Sequence, residues 1–167
     1  MNERRVIEGA VIGAAAGLVA SWMMSKFHGA WKTASGEGQD EDEPNTVKAA
    51  DALAQATMGE PVPEEYREPA GTAVHYGFGA FLGAVYGAAV ELRPATSAGF
   101  GTAYGAVVSL VADEMAMPAL GLSPSAQDVG ASTHLRGFVS HLVFGVALEA
   151  ARRLLKVQLR TRAFAWR

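Results

Sequence analysis

The chain contains no cysteine among its 167 residues. That excludes disulfides, thiolate nucleophiles and thiolate metal ligands, and with them iron–sulfur chemistry. The short motifs of common enzyme chemistry are missing too. There is no Gly-Lys-Ser/Thr phosphate loop, no His-Glu-x-x-His, no Gly-x-Ser-x-Gly and no aspartate pair at metal spacing. No catalytic residue is assigned and no enzyme is expected. Charge is scarce where the chain is most apolar: residues 73–90 hold none. The formal net charge of −3 averages two opposed stretches. Lys32 to Gly71 carries ten of the 17 acidic residues and only three basic ones, whereas 152–167 carries six basic residues and no acid.

What is present is glycine, 19 residues of it, in a chain that is 50% hydrophobic. Four apolar segments, at about 6–27, 73–91, 94–117 and 135–155, come near the roughly 20 residues needed to cross a bilayer. A soluble bundle of buried helices is the alternative. It is disfavoured because segments hydrophobic all round leave a soluble protein almost no polar helix face. The first segment has the charged start and apolar run of a signal peptide but no convincing small-residue cleavage site, and reads as a retained helix. The expected fold is therefore all-α: an integral membrane four-helix bundle forming a single membrane domain over 1–167.

Lys and Arg near the helix ends set the direction. Arg4, Arg5, Arg93 and the basic tail 152–167 place both termini in the cytoplasm, and the acidic loop 32–71 and the link Pro118–Thr133 outside. Such a topology is that of a multi-pass membrane protein. Within the loop, Val47, Ala50, Leu53, Ala54 and Met58 recur at helical spacing after a capping Asn45 or Thr46 and before Pro61 and Pro63. They predict a short amphipathic helix on the outer surface. In the tail, Arg152, Arg153, Lys156, Arg160 and Arg162 alternate with Leu154, Leu155, Val157, Leu159, Phe164 and Trp166. Directly after a membrane helix this pattern points to anionic lipid and topology rather than nucleic acid.

Small residues every fourth position let two helix backbones approach closely in lipid. Gly79, Gly83 and Gly87 lie between His75 and Glu91 at strict four-residue spacing. Gly101, Gly105, Ser109 and Asp113 form a second such stripe, and Gly137, His141, Gly145 and Glu149 a third. The stripes also align with one another. Tyr86-Gly87 through Glu91 matches Phe144-Gly145 through Glu149, so an aromatic-Gly-x-x-x-Glu signature occurs twice, and Gly9, Gly13, Gly17, Ser21 matches Gly101, Gly105, Ser109, Asp113. The pattern predicts a duplicated helical hairpin with parallel repeats.

Met117, Pro118, Gly121-Leu122-Ser123-Pro124, His141-Leu142-Val143 and Glu149 followed by Arg152 and Arg153, together with the helix HYGFGAFLGAVYGAAVE, resemble the YagU-like bacterial inner-membrane proteins, a family of unknown function. The outer loop departs from that family, with an acidic Gly-rich run where a Pro-Pro-Arg-type stretch is expected. The resemblance implies an integral inner-membrane protein and a link to acid tolerance, and brings no catalytic residue with it.

Folded onto this topology, the ionisable residues sort by depth. His28, His75, His134 and His141 all fall in the outer half, as do Asp113 and Glu114. An ionisable group at membrane depth costs a few kcal/mol, so it is paired, cavity-facing or functional by default. Glu91 and Glu149 sit at the other end beside Arg93, Arg152 and Arg153. They read as interfacial salt bridges or, as halves of a repeat, as partners sharing a proton. Three roles follow for a non-enzymatic membrane protein. The first is a proton- or cation-responsive protein using the outer His/carboxylate cluster. The second is a structural or accessory subunit in a homo-oligomer or larger membrane complex. The third is a haem or divalent-metal carrier with His141 as the best ligand.

Overall fold

The computed structural model describes residues 3–36, 43–123 and 130–165. The acidic run at 37–42, Pro124, and the tail side chains of Arg160, Arg162, Phe164 and Trp166 lie outside the described residues. All regular structure among the described residues is helical: α1 (Glu3–Ser35), α2 (Asn45–Met58), α3 (Arg67–Leu92), α4 (Thr102–Ser109), α5 (Met117–Ala119) and α6 (Ala131–Ala165), with short 3₁₀ and π segments between them. Three stretches are long and apolar enough to cross a membrane: Glu3–Ser35, Glu64–Leu92 and Pro94–Ala119. α6, at 35 residues, is longer than any of them but too polar to count with them, because His134, Arg136, His141 and Glu149 dilute its apolar run.

Helix ends differ from the expected spans for local reasons. α1 passes Lys26 and His28 and stops only at Gly36, whose φ of 67° is the left-handed turn that commonly ends a helix. Hydropathy marks where lipid ends, not where backbone hydrogen bonding ends. α3 begins six residues before the expected 73, after a 3₁₀ turn at Glu64–Tyr66. Pro69 sits in its first turn, where a missing donor is harmless.

The third helix requires a correction. It was expected from residue 94, but Pro94–Gly101 is an irregular 3₁₀ segment and α4 starts at Thr102. Pro94 holds Arg93 extended. Gly99, Phe100 and Gly101 then take positive φ in succession, a conformation no helix continues.

Packing follows the glycine stripes. α1 lies against α3 with Gly9, Gly13 and Gly17 opposite Gly87, Gly83 and Gly79; a Cβ on Gly13 would stand 2.1 Å from the Gly83 carbonyl oxygen. α4 lies against α6 the same way: a Cβ on Gly101 would meet the Gly145 oxygen at 2.2 Å, and one on Gly105 the His141 oxygen at 2.2 Å. In lipid such close approach is the source of helix association, through dispersion and Cα–H···O contacts. α6 also packs on α1, and the core between them holds Ala16, Ala20, Met24, Tyr86, Val90, Phe144, Leu148 and Ala151. Around it Ile7, Val11, Leu18, Trp22, Phe81, Val107 and Leu110 point outward. That inversion of the soluble pattern is what a lipid solvent permits.

The amphipathic helix forms as expected, with Val47, Ala50 and Ala54 buried, although Leu53 and Met58 are exposed. It packs on the start of α3, where Val47 fills the space over Gly71. Pro44, rather than Asn45 or Thr46, stands at its N-cap, and Gly59 in the left-handed region ends it. Arg67 ties the joint together by bonding Glu43, Asp51 and Glu64.

Candidate functional site

Asp113 and Glu114 lie in a π-helical segment, Leu110–Ala116, between α4 and α5. Single π turns inside α-helices are uncommon and frequent at functional sites. Here the register slip has a local cause. The Met117 N–H bonds the Ala112 carbonyl, and the Leu120 N–H bonds the Ala116 carbonyl. Between those bonds stand the carbonyls of Asp113, Glu114 and Met115, while only Pro118, which has no donor, and Ala119 remain to serve them.

Both acids reach across to α6. Asp113 Oδ2 is 3.1 Å from His141 Nδ1 and accepts from Ser109 Oγ at 3.2 Å. His141 Nδ1 also faces the Gly137 carbonyl at 2.9 Å. A carbonyl can only accept, so Nδ1 carries the proton and shares it between Gly137 and Asp113. Glu114 Oε1 is 2.7 Å from His134 Nδ1. Two His–carboxylate pairs thus join one turn of the π segment to the N-terminal part of α6.

The other two histidines take different places. His75 Nε2 donates to the Ser21 carbonyl at 3.1 Å and lies 3.2 Å from Ser25 Oγ, so it fastens α3 to α1 rather than joining the acids. His28 stands exposed against Phe27, near enough to His75, Arg136, His141 and Asp113 to feel their charge. Among the described residues no three His, Asp or Glu side chains gather at metal-binding distance. Ser109, set one turn before Asp113 and bonded to it, was read only as a packing position. Its signal was the i, i+4 spacing.

At the opposite end Glu149 is fully buried and accepts from Arg152 Nε at 2.8 Å, Arg152 Nη2 at 3.0 Å, Arg153 Nε at 2.6 Å and the Tyr86 hydroxyl at 2.9 Å. Glu91 accepts from Lys156 and from Arg5 at 3.3 Å. Each glutamate thus has cations of its own and does not share a proton with the other. Arg93, expected among the salt bridges, is exposed and forms no ion pair among the described residues, because the extended backbone before Pro94 turns it away. Tyr86, Arg5 and Lys156 were missed as partners. The sequence did hold a signal for Lys156, since 149, 152, 153 and 156 share one helix face.

An all-helical chain with three membrane-length apolar helices, glycine seams and ionisable pairs at both ends of those seams is an integral membrane protein of the helical class. The chain belongs to the family described as proteins of unknown function, DUF1440, whose profile matches residues 50–150. The YagU-like resemblance is consistent with that family. The matched range takes in Asp113, Glu114, His134, His141 and Glu149, and leaves out α1 and the basic tail. No curated protein and no solved structure matches the chain.

Proposed function

We propose that this is a non-enzymatic four-helix protein of the bacterial inner membrane, with both termini cytoplasmic, that responds to proton concentration through the contacts between the π segment and α6. The observation that carries the reading is the double pairing of Asp113 with His141 and of Glu114 with His134. Each pair is strongest when the imidazole is protonated and the carboxylate ionised. A change in proton concentration that alters either charge therefore changes how firmly the π segment is held to α6. The link to acid tolerance that the family resemblance implies fits such a response.

The topology is supported by the meeting of Arg5 and Lys156 on Glu91, which brings the basic N-terminus and the basic tail to one membrane face. A duplicated hairpin is supported by equal register. The pairs Gly9–Gly87 and Gly13–Gly83 in the first half correspond, under the internal alignment, to Gly101–Gly145 and Gly105–His141 in the second. Glu91 beside Gly9 likewise corresponds to Glu149 beside Gly101.

The test uses the absence of cysteine. Met115 and Leu135 are exposed, so cysteines placed there can carry spin labels that report the distance between the π segment and α6. The distance distribution should change between neutral and low pH in the parent chain and stay flat in Asp113→Asn/Glu114→Gln. NMR should show the His141 titration moved by Asp113→Asn. Identical pH dependence with and without the acids, together with full low-pH survival of cells carrying His141→Ala, would reduce the cluster to helix glue and favour the accessory-subunit role.

A further inference from the structure

The ends of α1, α3 and α6 that carry the glutamates also enclose open space. Two adjoining cavities of about 240 and about 480 Å³ share Arg5, Glu91 and Lys156 in their walls. The larger is a shallow cleft, widely open to the surroundings. Arg152 and Arg153 also line it. Each guanidinium has five N–H donors and an ammonium three. Glu149 and Glu91 take two from Arg152 and one each from Arg153, Arg5 and Lys156. Glu8 also lines the smaller cavity, so four cations stand against three carboxylates and leave a small net positive charge with most of the donors unspent.

The rest of the larger cavity's wall is apolar apart from Ser97. Val90, Pro94 and Val157 line it, and Leu92 and Leu154 nearby in the chain are exposed. A donor-rich cleft at the basic end of membrane-length apolar helices matches the anionic head of an amphiphile. We infer that this cleft, at the level where the proposed topology sets the cytoplasmic headgroups, binds the headgroup phosphate of an anionic phospholipid. The buried carboxylates act as positioning residues: they fix the guanidinium planes and keep the cleft from excess repulsion when it is empty. Fixed Arg forks suit phosphate oxygens, as freely moving surface lysines do not. The site is independent of the His–carboxylate pairs.

The experiment is native mass spectrometry of the full chain released from phosphatidylcholine nanodiscs doped with phosphatidylglycerol. The parent protein should retain phosphatidylglycerol in preference to phosphatidylcholine. Arg5→Gln/Lys156→Gln should lower that preference about thirtyfold, the combined worth of two cations at an anionic surface. Ser97 also lines the larger cavity, so Ser97→Phe should abolish retention by filling the space with every charge kept, which covers the case of a double variant that fails to fold. Equal retention of the two lipids would overturn the proposal. So would a phosphatidylglycerol preference unchanged in Ser97→Phe, which would mean diffuse surface charge. Displacement of the lipid by inorganic phosphate at equal concentration would also overturn it, by marking a soluble-anion site.

Discussion

Gly83 and Gly77 stand on the same helix, α3, and should respond to the same substitution with opposite sign. A Cβ on Gly83 would lie 2.2 Å from the Gly13 carbonyl oxygen and 2.8 Å from the Gly17 Cα, both backbone atoms that cannot swing aside. A Cβ on Gly77 would meet nothing within 4 Å. Relieving the first contact to an ordinary 3.4 Å requires α1 and α3 to part by about 1.2 Å, when a gap of 0.5–1 Å already forfeits a quarter to a half of a dispersion contact. The loss spreads along the seam, because Gly9–Gly87 and Gly17–Gly79 are held at the same closeness. Gly83→Ala should therefore destabilise by about 2–3 kcal/mol, and Gly83→Leu by more. Gly77→Ala should be neutral or stabilising by up to about 1 kcal/mol, since it removes only backbone freedom. Leu82→Ala, which trims a partly buried side chain packed on the core, should fall between them at about 1–2 kcal/mol. Reversible unfolding in mixed detergent micelles measures all four on one scale. A Leu82→Ala cost equal to or above that of Gly83→Leu, or equal effects at Gly77 and Gly83, would show that the seam is not what holds α1 to α3.

Tyr86→Phe should cost about 1.5–3 kcal/mol in the same assay, the loss of a buried hydrogen bond to a charged acceptor. Glu149→Ala should cost about 3–5 kcal/mol by leaving Arg152 buried without its carboxylate. Arg93→Gln, outside every ion pair among the described residues, should stay within about 0.5 kcal/mol of the parent. An accessible tag inserted near Gly38 should be reached only from outside intact spheroplasts and tags at either terminus only after lysis; protection of the Gly38 tag would reverse the topology.

The helix seams were legible because small residues at four-residue spacing have few structural meanings. The same stripes placed Asp113 beside His141, since both continue a row of residues too small to face anything but another backbone. Less was legible wherever one residue type serves two physical ends. Gly101 was read as packing and is that, against Gly145. It is also the third of three left-handed residues, and this conformational use delays the helix to Thr102. Arg93 and Arg152 look alike beside a glutamate in sequence, yet Pro94 extends the backbone at one, while the other stays on the helix face that carries Glu149. Buried partners such as Tyr86 depend on how α3 and α6 turn toward each other, which spacing within one helix does not reveal.

The pairing of Glu114 with His134 was the hardest to foresee, and the reason lies in helix geometry. In an α-helix, neighbouring residues point about 100° apart, so if Asp113 faces α6, Glu114 should not. The π segment puts more residues into each turn, which narrows the angle between successive side chains and lets both acids reach α6 together. Pro118 supplies the cause. Without its N–H the α register loses a bond at this turn, so adopting i→i−5 bonding there gives up less than it would elsewhere in the helix. A proline one turn beyond two adjacent acids is therefore informative as a group, though each residue alone is not. It marks the place where backbone bonding is weak enough for two carboxylates to be presented on one side, and the structure sets two histidines against them.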